Sequence, residues 1–142
     1  NMQDRLDAFL NNPLDYRCEG DNCPSNSSIQ HFNMLRPSPF LLVDLIFYQQ
    51  DFSAAGDGRK RKLNSNCAPL DTIHIPGPGG YTRYHLAGVV VHIGTTTSSA
   101  GNHYVSYIKR NNKWYRINDS IVAETTQISN QPYVSLYKLQ PQ

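Results

Sequence analysis

This 142-residue chain has few cysteines, a small net charge and no long apolar run, and each of these features argues against a class of protein. Three cysteines at uneven spacing do not make a disulfide framework and favour a reducing compartment, so we expect a cytoplasmic or nuclear location. A formal charge of +2 is too small to indicate nucleic-acid binding. No apolar run approaches the roughly 20 residues that a membrane-spanning helix requires. We therefore expect a globular protein that binds neither nucleic acid nor membrane.

The length fits a single domain that spans residues 1–142. A domain of this size buries about two-thirds of the surface of its unfolded chain, so a core can form without disulfides. The chain opens with Asn1 rather than a methionine, and we expect it to be a piece of a longer product.

Apolar and aromatic runs bounded by Gly, Asn and Pro clusters predict an α+β fold that is mainly antiparallel β, with about five or six strands. Met2, Leu6, Phe9 and Leu10 recur at helical spacing, which predicts a short amphipathic helix at the start of the chain. The strands are predicted at residues 40–48, 84–93, 104–110, 114–117 and 133–139.

The most informative stretch is a predicted hairpin whose turn is formed by Asn111 and Asn112, because asparagine tolerates positive φ. A two-residue turn at this place fixes the register and pairs Val105 with Asn118. Side chains alternate between faces along a strand, so His103 shares a face with Val105 and lies one diagonal step from Asn118. The pattern therefore predicts that a histidine and an amide meet at the open end of the hairpin.

This pair suits general-base chemistry. An imidazole that acts as a base needs its second ring nitrogen held by an acceptor, and the carbonyl of Asn118 can do this without adding charge. Asp119 points to the other face in this register, but a change of one residue in the loop length would exchange the roles of Asn118 and Asp119. We prefer Asn118 and keep Asp119 as the alternative.

From residue 84 onward the chain resembles the C-terminal half of the catalytic domain of ubiquitin-specific proteases, which are papain-like cysteine deubiquitinases. The similar segments agree in order and spacing. They are residues 84–94 (YHLAGVVVHIG), His103-Tyr104, Trp114-Tyr115, residues 118–120 (NDS) and residues 133–137 (YVSLY).

The resemblance implies a palm-like sheet with His103 as general base and Asn118 as its orienting residue, since the third member of the family's triad lies four residues after the Trp. Asp119 matches the neighbouring acidic position. One departure is local: the family usually has Gly directly before the His, whereas Asn102 stands between Gly101 and His103 here.

The resemblance also implies binding of the C-terminal tail of ubiquitin or a ubiquitin-like protein. By composition, residues 76–81 and 95–101 are mobile loops that flank the strand at 84–93. In the family, the loops at these two positions close over the ubiquitin tail. The substrate-binding residues that the resemblance implies are Tyr81, Tyr84, His92, Gly94, Gly101, Asn102, Tyr104 and Trp114.

Cys18 and Cys23 could form one half of a zinc site. Structural zinc needs four ligands, a second Cys pair is missing, and Cys67 and His31 are no more than possible stand-ins. Two ordinary thiols on a turn are therefore favoured, and no cofactor is expected. The resemblance implies instead that residues 1–35 are part of a finger region, with Cys18 and Cys23 as its second knuckle.

The family's nucleophile lies in an N-terminal Cys box, and no segment of residues 1–70 resembles it. Cys67 lies in a turn-rich segment without a helix N-terminus to activate its thiol. We therefore expect the nucleophile upstream or in a separate chain. Three interpretations stay open: half of a thiol deubiquitinase, a pseudoenzyme module that binds ubiquitin or another protein without turnover, and a papain-like peptidase unrelated to ubiquitin.

Overall fold

The computed structural model describes residues 1–14, 28–44, 48–50, 60–62, 67–93 and 103–140. The predicted helix is present as α1 (Met2–Leu10), and it begins with a capping box in which the Asn1 side chain accepts from the backbone N–H of Asp4 at 3.1 Å. Met2 and Leu10 are buried, as expected for an amphipathic helix. No helix in these ranges is long and apolar enough to cross a membrane.

An antiparallel sheet of seven strands dominates the described residues, and it confirms the predicted fold class. Its strands are β3 (Phe40–Asp44), β6 (Thr72–Gly77), β7 (Gly80–Ile93), β8 (His103–Arg110), β9 (Lys113–Asn118), β10 (Ile121–Thr125) and β11 (Val134–Leu139). The order across the sheet is β10-β9-β8-β7-β11-β3, and β6 pairs with β7 outside this path.

Two short ribbons lie outside this sheet. β1 (Asn11–Leu14) pairs with β2 (Ser28–His31), and β4 (Tyr48–Gln50) pairs with β5 (Lys60–Lys62). The strand predicted at 40–48 thus corresponds to β3 and the start of β4, while residues 45–47 lie outside the described ranges.

The core lies on one face of the sheet, where α1 packs against it. Met2, Ile73, Tyr84 and Tyr137 are each 0% exposed. The Tyr137 hydroxyl donates to the carbonyl of Leu70 at 3.0 Å, so the buried phenol is satisfied. Burial raises the pKa of Tyr137 above its ordinary value. These residues fix the first half of β7 to α1, β6 and β11.

The β8–β9 hairpin has the predicted turn and register. Asn111 and Asn112 have φ of 49° and 63°, the left-handed values that a two-residue hairpin turn of type I′ requires at both central positions. Arg110 pairs with Lys113 across the turn, and the same register continues along the two strands. The turn prediction therefore fixes which side chains share a face at the far end of the hairpin.

The β6–β7 connection differs from the prediction of a mobile loop at residues 76–81. Strand pairing continues to Gly77 and Gly80, which leaves only a two-residue turn. Gly80 has φ of 112°, and a Cβ at Gly77 would lie 2.9 Å from the carbonyl oxygen of Met34, so both positions require glycine. Glycine here builds a tight hairpin, and the mobile-loop prediction is wrong.

Candidate active site

His103 and Asn118 meet at the open end of the β8–β9 hairpin. His103 is the first residue of β8, and Asn118 is the last residue of β9. A hydrogen bond joins Nε2 of His103 to Oδ1 of Asn118. Because the amide oxygen accepts, the neutral ring carries its proton on Nε2. Both side chains are half-buried, so the pair remains accessible from one side.

Neighbouring strands hold both members of this pair. Val105, two residues after His103 and on the same face, is 1% exposed and anchors β8 in the core. Asn118 pairs with Ile121 of β10, so β9 has a partner on each side near the site. The sheet therefore holds the two side chains in place more precisely than a loop would.

Asp119 occupies a different position from Asn118. It is exposed, has φ of 52°, and begins the two-residue connection from β9 to β10. Its carboxylate makes no hydrogen bond to His103, whereas the Asn118 amide does. The geometry therefore places Asn118 in contact with the imidazole.

The second ring nitrogen of His103, Nδ1, makes no hydrogen bond to the described residues. An imidazole with one nitrogen bound to an orienting acceptor and the other available can take a proton from a thiol and return it to a leaving group. The arrangement has the geometry of a base and its orienting residue.

Two predicted substrate-binding residues lie next to this pair, on the opposite face of the sheet. His92 pairs with Tyr104 on the strands β7 and β8, one position from the pair Ile93–His103. The rings of His92 and Tyr104 have centroids 5.0 Å apart. Tyr133 was not predicted as a site residue, and its ring lies 5.7 Å from that of Tyr104.

Three other predicted substrate-binding residues lie away from His103. Tyr84 is 0% exposed, and its hydroxyl donates to the carbonyl of Ser38 at 3.0 Å, so it is a core residue. Tyr81 lies on β7 twelve positions before Ile93, about 40 Å away along an extended strand. Trp114 lies near the turn of the hairpin, with the Nζ of Lys109 5.6 Å from its ring.

None of these three side chains lines the His103 site, and their contacts to substrate stay predictions. Tyr81 is distant because β7 has 14 residues and Tyr81 lies near its start, whereas Ile93, the partner of His103, is its last residue. For Tyr84, the pattern of the strand did not show which face was buried. Gly94, Gly101, Asn102, Cys18 and Cys23 lie outside the described residues.

Cys67 is buried and distant from His103. It is 2% exposed, and its backbone N–H donates to the carbonyl of Asn130 at 3.1 Å. It lies close to Tyr137, whose strand partner Leu86 is about 20 Å along β7 from the residue that pairs with His103. In the described ranges, no group of three or more His, Cys, Asp or Glu side chains is arranged to hold a metal ion.

Comparison with known proteins identifies the family and supports the fold. The family model of ubiquitin carboxyl-terminal hydrolases matches residues 2–137. The chain belongs to this family, and the resemblance to ubiquitin-specific proteases is confirmed.

Two curated relatives give the scale of the match. Ubiquitin carboxyl-terminal hydrolase 16 of Arabidopsis thaliana is 46% identical over 109 residues, which is 75% of this chain and 10% of the relative. Ubiquitin carboxyl-terminal hydrolase A of Dictyostelium discoideum is 34% identical over 84 residues, which is 55% of this chain and 9% of the relative. The chain thus spans about a tenth of the length of these relatives.

Solved structures agree in fold. The yeast SAGA DUB module with a mutant Sgf73 aligns with a TM-score of 0.77 and 21% identity over 99% of this chain and 33% of the matched chain. The SAGA Ubp8/Sgf11/Sus1/Sgf73 module bound to ubiquitin aldehyde aligns with a TM-score of 0.73 and 19% identity over 94% of this chain and 32% of the matched chain. The chain therefore has the fold of about one third of these proteins.

Proposed function

We propose that this chain supplies the histidine and asparagine of a Cys-His-Asn site in a thiol-dependent deubiquitinase. The observation that carries this proposal is the hydrogen bond from His103 Nε2 to Asn118 Oδ1, with Nδ1 of the ring left available. The nucleophilic thiol comes from an upstream segment or from a separate chain. Cys67 is not this nucleophile, because it is 2% exposed and lies in the core.

The proposed reaction is acyl transfer through a thioester. Nδ1 of His103 takes the proton of the thiol, and the thiolate adds to the carbonyl carbon of the scissile amide. The imidazolium then returns this proton to the leaving amine. Water, deprotonated by the same ring, cleaves the thioester and regenerates the thiol. Asn118 keeps the ring in the required orientation throughout, and Asp119 adds polarity behind the pair.

The proposed substrate is the C-terminal tail of ubiquitin or a ubiquitin-like protein. The membership of the hydrolase family supports this class of substrate, as does the Ubp8 module that was solved with ubiquitin aldehyde. Gly94, Gly101 and Asn102 are the proposed contacts to the tail. A cytoplasmic or nuclear location suits a site that depends on a reduced thiol.

Reconstitution tests the proposal directly. The chain is co-expressed with the N-terminal half of the catalytic domain of the Arabidopsis relative, and release of a fluorophore from the C terminus of ubiquitin is measured. We expect thiol-dependent turnover that requires His103. A stable complex with ubiquitin affinity but equal turnover for the unchanged chain and His103→Ala would overturn the proposal and assign the chain to a binding module.

The isolated chain gives a complementary test. Without a partner it should neither hydrolyse ubiquitin esters nor react with a ubiquitin carrying a C-terminal electrophile, because a His-Asn pair alone has no atom to add to the carbonyl. Mass spectrometry of the probe reaction reads the result, with N-ethylmaleimide in denaturant as the control that thiols are reactive. Covalent labelling of Cys67 in the folded chain would contradict the assignment of the nucleophile.

A further inference from the structure

An aromatic cluster lies on the face of the sheet opposite His103, and the mechanism above does not use it. His92 pairs with Tyr104 one position from the pair Ile93–His103. Consecutive side chains on a strand point to opposite faces, so Tyr104 and His103 are joined by one peptide but project in opposite directions. A contact that holds the Tyr104 ring therefore also holds the peptide that carries the imidazole.

The Tyr104 ring packs against two other rings. Its centroid lies 5.0 Å from that of His92 at an interplanar angle of 55°, and 5.7 Å from that of Tyr133 at 57°. These are the tilted geometries that aromatic pairs prefer. Tyr133 is itself fixed, because its backbone N–H donates to the carbonyl of Val90 at 2.7 Å. The cluster ties the start of β8 to β7 and to the segment that leads into β11.

The exposure of Tyr104 separates it from the core aromatics. Tyr104 is 48% exposed, whereas Tyr84 and Tyr137 are 0% exposed. Loss of a half-exposed ring removes less buried area than loss of a fully buried ring, so the fold should tolerate it better. The position of His103 should depend on this ring more than the fold does. His103 is the first residue of β8, and the ring contact of its neighbour Tyr104 with His92 holds this end of the strand.

We propose that Tyr104, held by His92 and Tyr133, is a positioning residue that keeps the imidazole of His103 in hydrogen-bonding register with Asn118. This inference rests on the proposed function, in which His103 is the general base. It is distinct from direct contact between Tyr104 and substrate, because positioning must be present in the chain before any substrate binds.

The test uses the whole chain, labelled with ¹⁵N and free of substrate. Long-range ¹H–¹⁵N spectra report which ring nitrogen of each histidine carries the proton. The unchanged chain should show His103 as the Nε2–H tautomer, since Asn118 accepts from that nitrogen. Tyr104→Val, which keeps a strand-favouring side chain, should lose this single tautomer, and Tyr104→Phe should retain it.

Two further variants make the test specific. Tyr133→Val removes the second ring of the cluster and should also lose the single tautomer of His103. Tyr81→Val removes an exposed tyrosine at the other end of β7 and should leave the His103 signals unchanged. Loss of the tautomer in Tyr104→Phe would assign the effect to the hydroxyl and overturn the role of the ring cluster.

The remaining outcomes are equally decisive. A single Nε2–H tautomer in both Tyr104→Val and Tyr133→Val would overturn the positioning role. Global unfolding of Tyr104→Val would overturn it too, because a positioning side chain that is half-exposed is dispensable for the fold. Failure of the proposed function looks different: the unchanged chain would itself show mixed tautomers, and Asn118→Ala would not alter them.

Discussion

The two ends of β7 are built in different ways. Where β7 lies between β6 and β11, Ile73, Tyr84 and Tyr137 are fully buried, and the tyrosine hydroxyls are satisfied by backbone carbonyls. At the other end, His103 and Asn118 are half-buried, and Tyr104 is 48% exposed. The first end has the properties of a stabilising core, and the second has those of an accessible site.

The difference shows how a half-exposed polar pair can be held in place. His103 and Asn118 gain little from burial, but Val105, the next residue on the face of His103, is 1% exposed, and the strand of Asn118 is paired on both sides. Strand pairing connects the site to the packed core and so restricts its motion. Local unfolding should begin at the exposed end of the sheet. Mutations at the two ends should therefore affect different measurements.

Replacement of His103 by Ala should produce the largest effect on activity. In the reconstituted enzyme, we expect a loss of about 10³-fold or more in kcat/KM, because a general base contributes about 10²–10⁴-fold and acts as a unit with the nucleophile. Hydrolysis of a fluorogenic ubiquitin substrate measures it. The free energy of unfolding should not change measurably, since the side chain is half-buried at a strand end.

His85→Ala is the matched control, because His85 is exposed on the neighbouring strand β7 and its ring forms a hydrogen bond with the hydroxyl of Thr72 at 3.0 Å. It should retain normal turnover. Equal losses in the two variants would show that any histidine on this sheet matters through stability, and the comparison between the two ends of β7 would fail.

Ile73→Ala should produce the largest effect on stability. Ile73 is 0% exposed in the core, and removal of its buried atoms should lower the free energy of unfolding by about 2–5 kcal/mol. Urea denaturation followed by tryptophan fluorescence measures this change. Turnover per folded molecule should remain unchanged, because Ile73 pairs with Tyr84 at the stabilising end.

The control for Ile73 is Leu35→Ala, since Leu35 is 79% exposed. It should change the free energy of unfolding by less than about 0.5 kcal/mol. If Ile73→Ala instead lowers turnover while the protein stays folded, the core and the site are coupled more tightly than their separation along β7 implies.

The hairpin shows how far the sequence could predict the site. Asn111 and Asn112 identify the turn, and strand pairing then propagates the register to His103 and Asn118 without further information. This works because every pair in the ladder depends on one turn. The register that this turn imposes also favours Asn118 over Asp119, and the contact in the structure involves Asn118.

The start of β7 and the strand β10 have features that the sequence alone did not predict. Pro76, Gly77 and Gly80 have the composition of a mobile loop, but strand pairing continues through them to a two-residue turn. β10 was missed because its residues are exposed or half-buried and show no alternation of burial. Composition and periodicity describe short segments, whereas these features depend on which strand lies alongside.

Asn118→Ala should produce an intermediate loss of activity. An orienting amide is worth less than the base that it orients, so we expect about a 10- to 100-fold decrease in kcat for the reconstituted enzyme, equivalent to about 1.4–2.8 kcal/mol. Asp119→Ala is the paired control, since its carboxylate makes no hydrogen bond to His103. It should cost less than Asn118→Ala. The reverse ranking would mean that Asp119 holds the imidazole during turnover.

The smallest effect concerns Tyr137 and the stability of the core at alkaline pH. Burial raises the pKa of Tyr137 in the folded chain above the ordinary value of 10.0, so the folded state keeps this proton more strongly than the unfolded state. The stabilisation is fully present below pH 10 and decreases as the pH rises above it, because the unfolded state then releases the proton first.

Tyr137→Phe should therefore flatten the decline in the free energy of unfolding above pH 10. At neutral pH it should cost only about 1 kcal/mol, through the lost bond to the Leu70 carbonyl. Urea titrations at several pH values measure both effects, with the exposed Tyr81→Phe as the control that should leave the slope unchanged. An unaltered alkaline slope in Tyr137→Phe would mean that this phenol is hydrated in solution and that the core end of β7 is less tightly packed than its burial indicates.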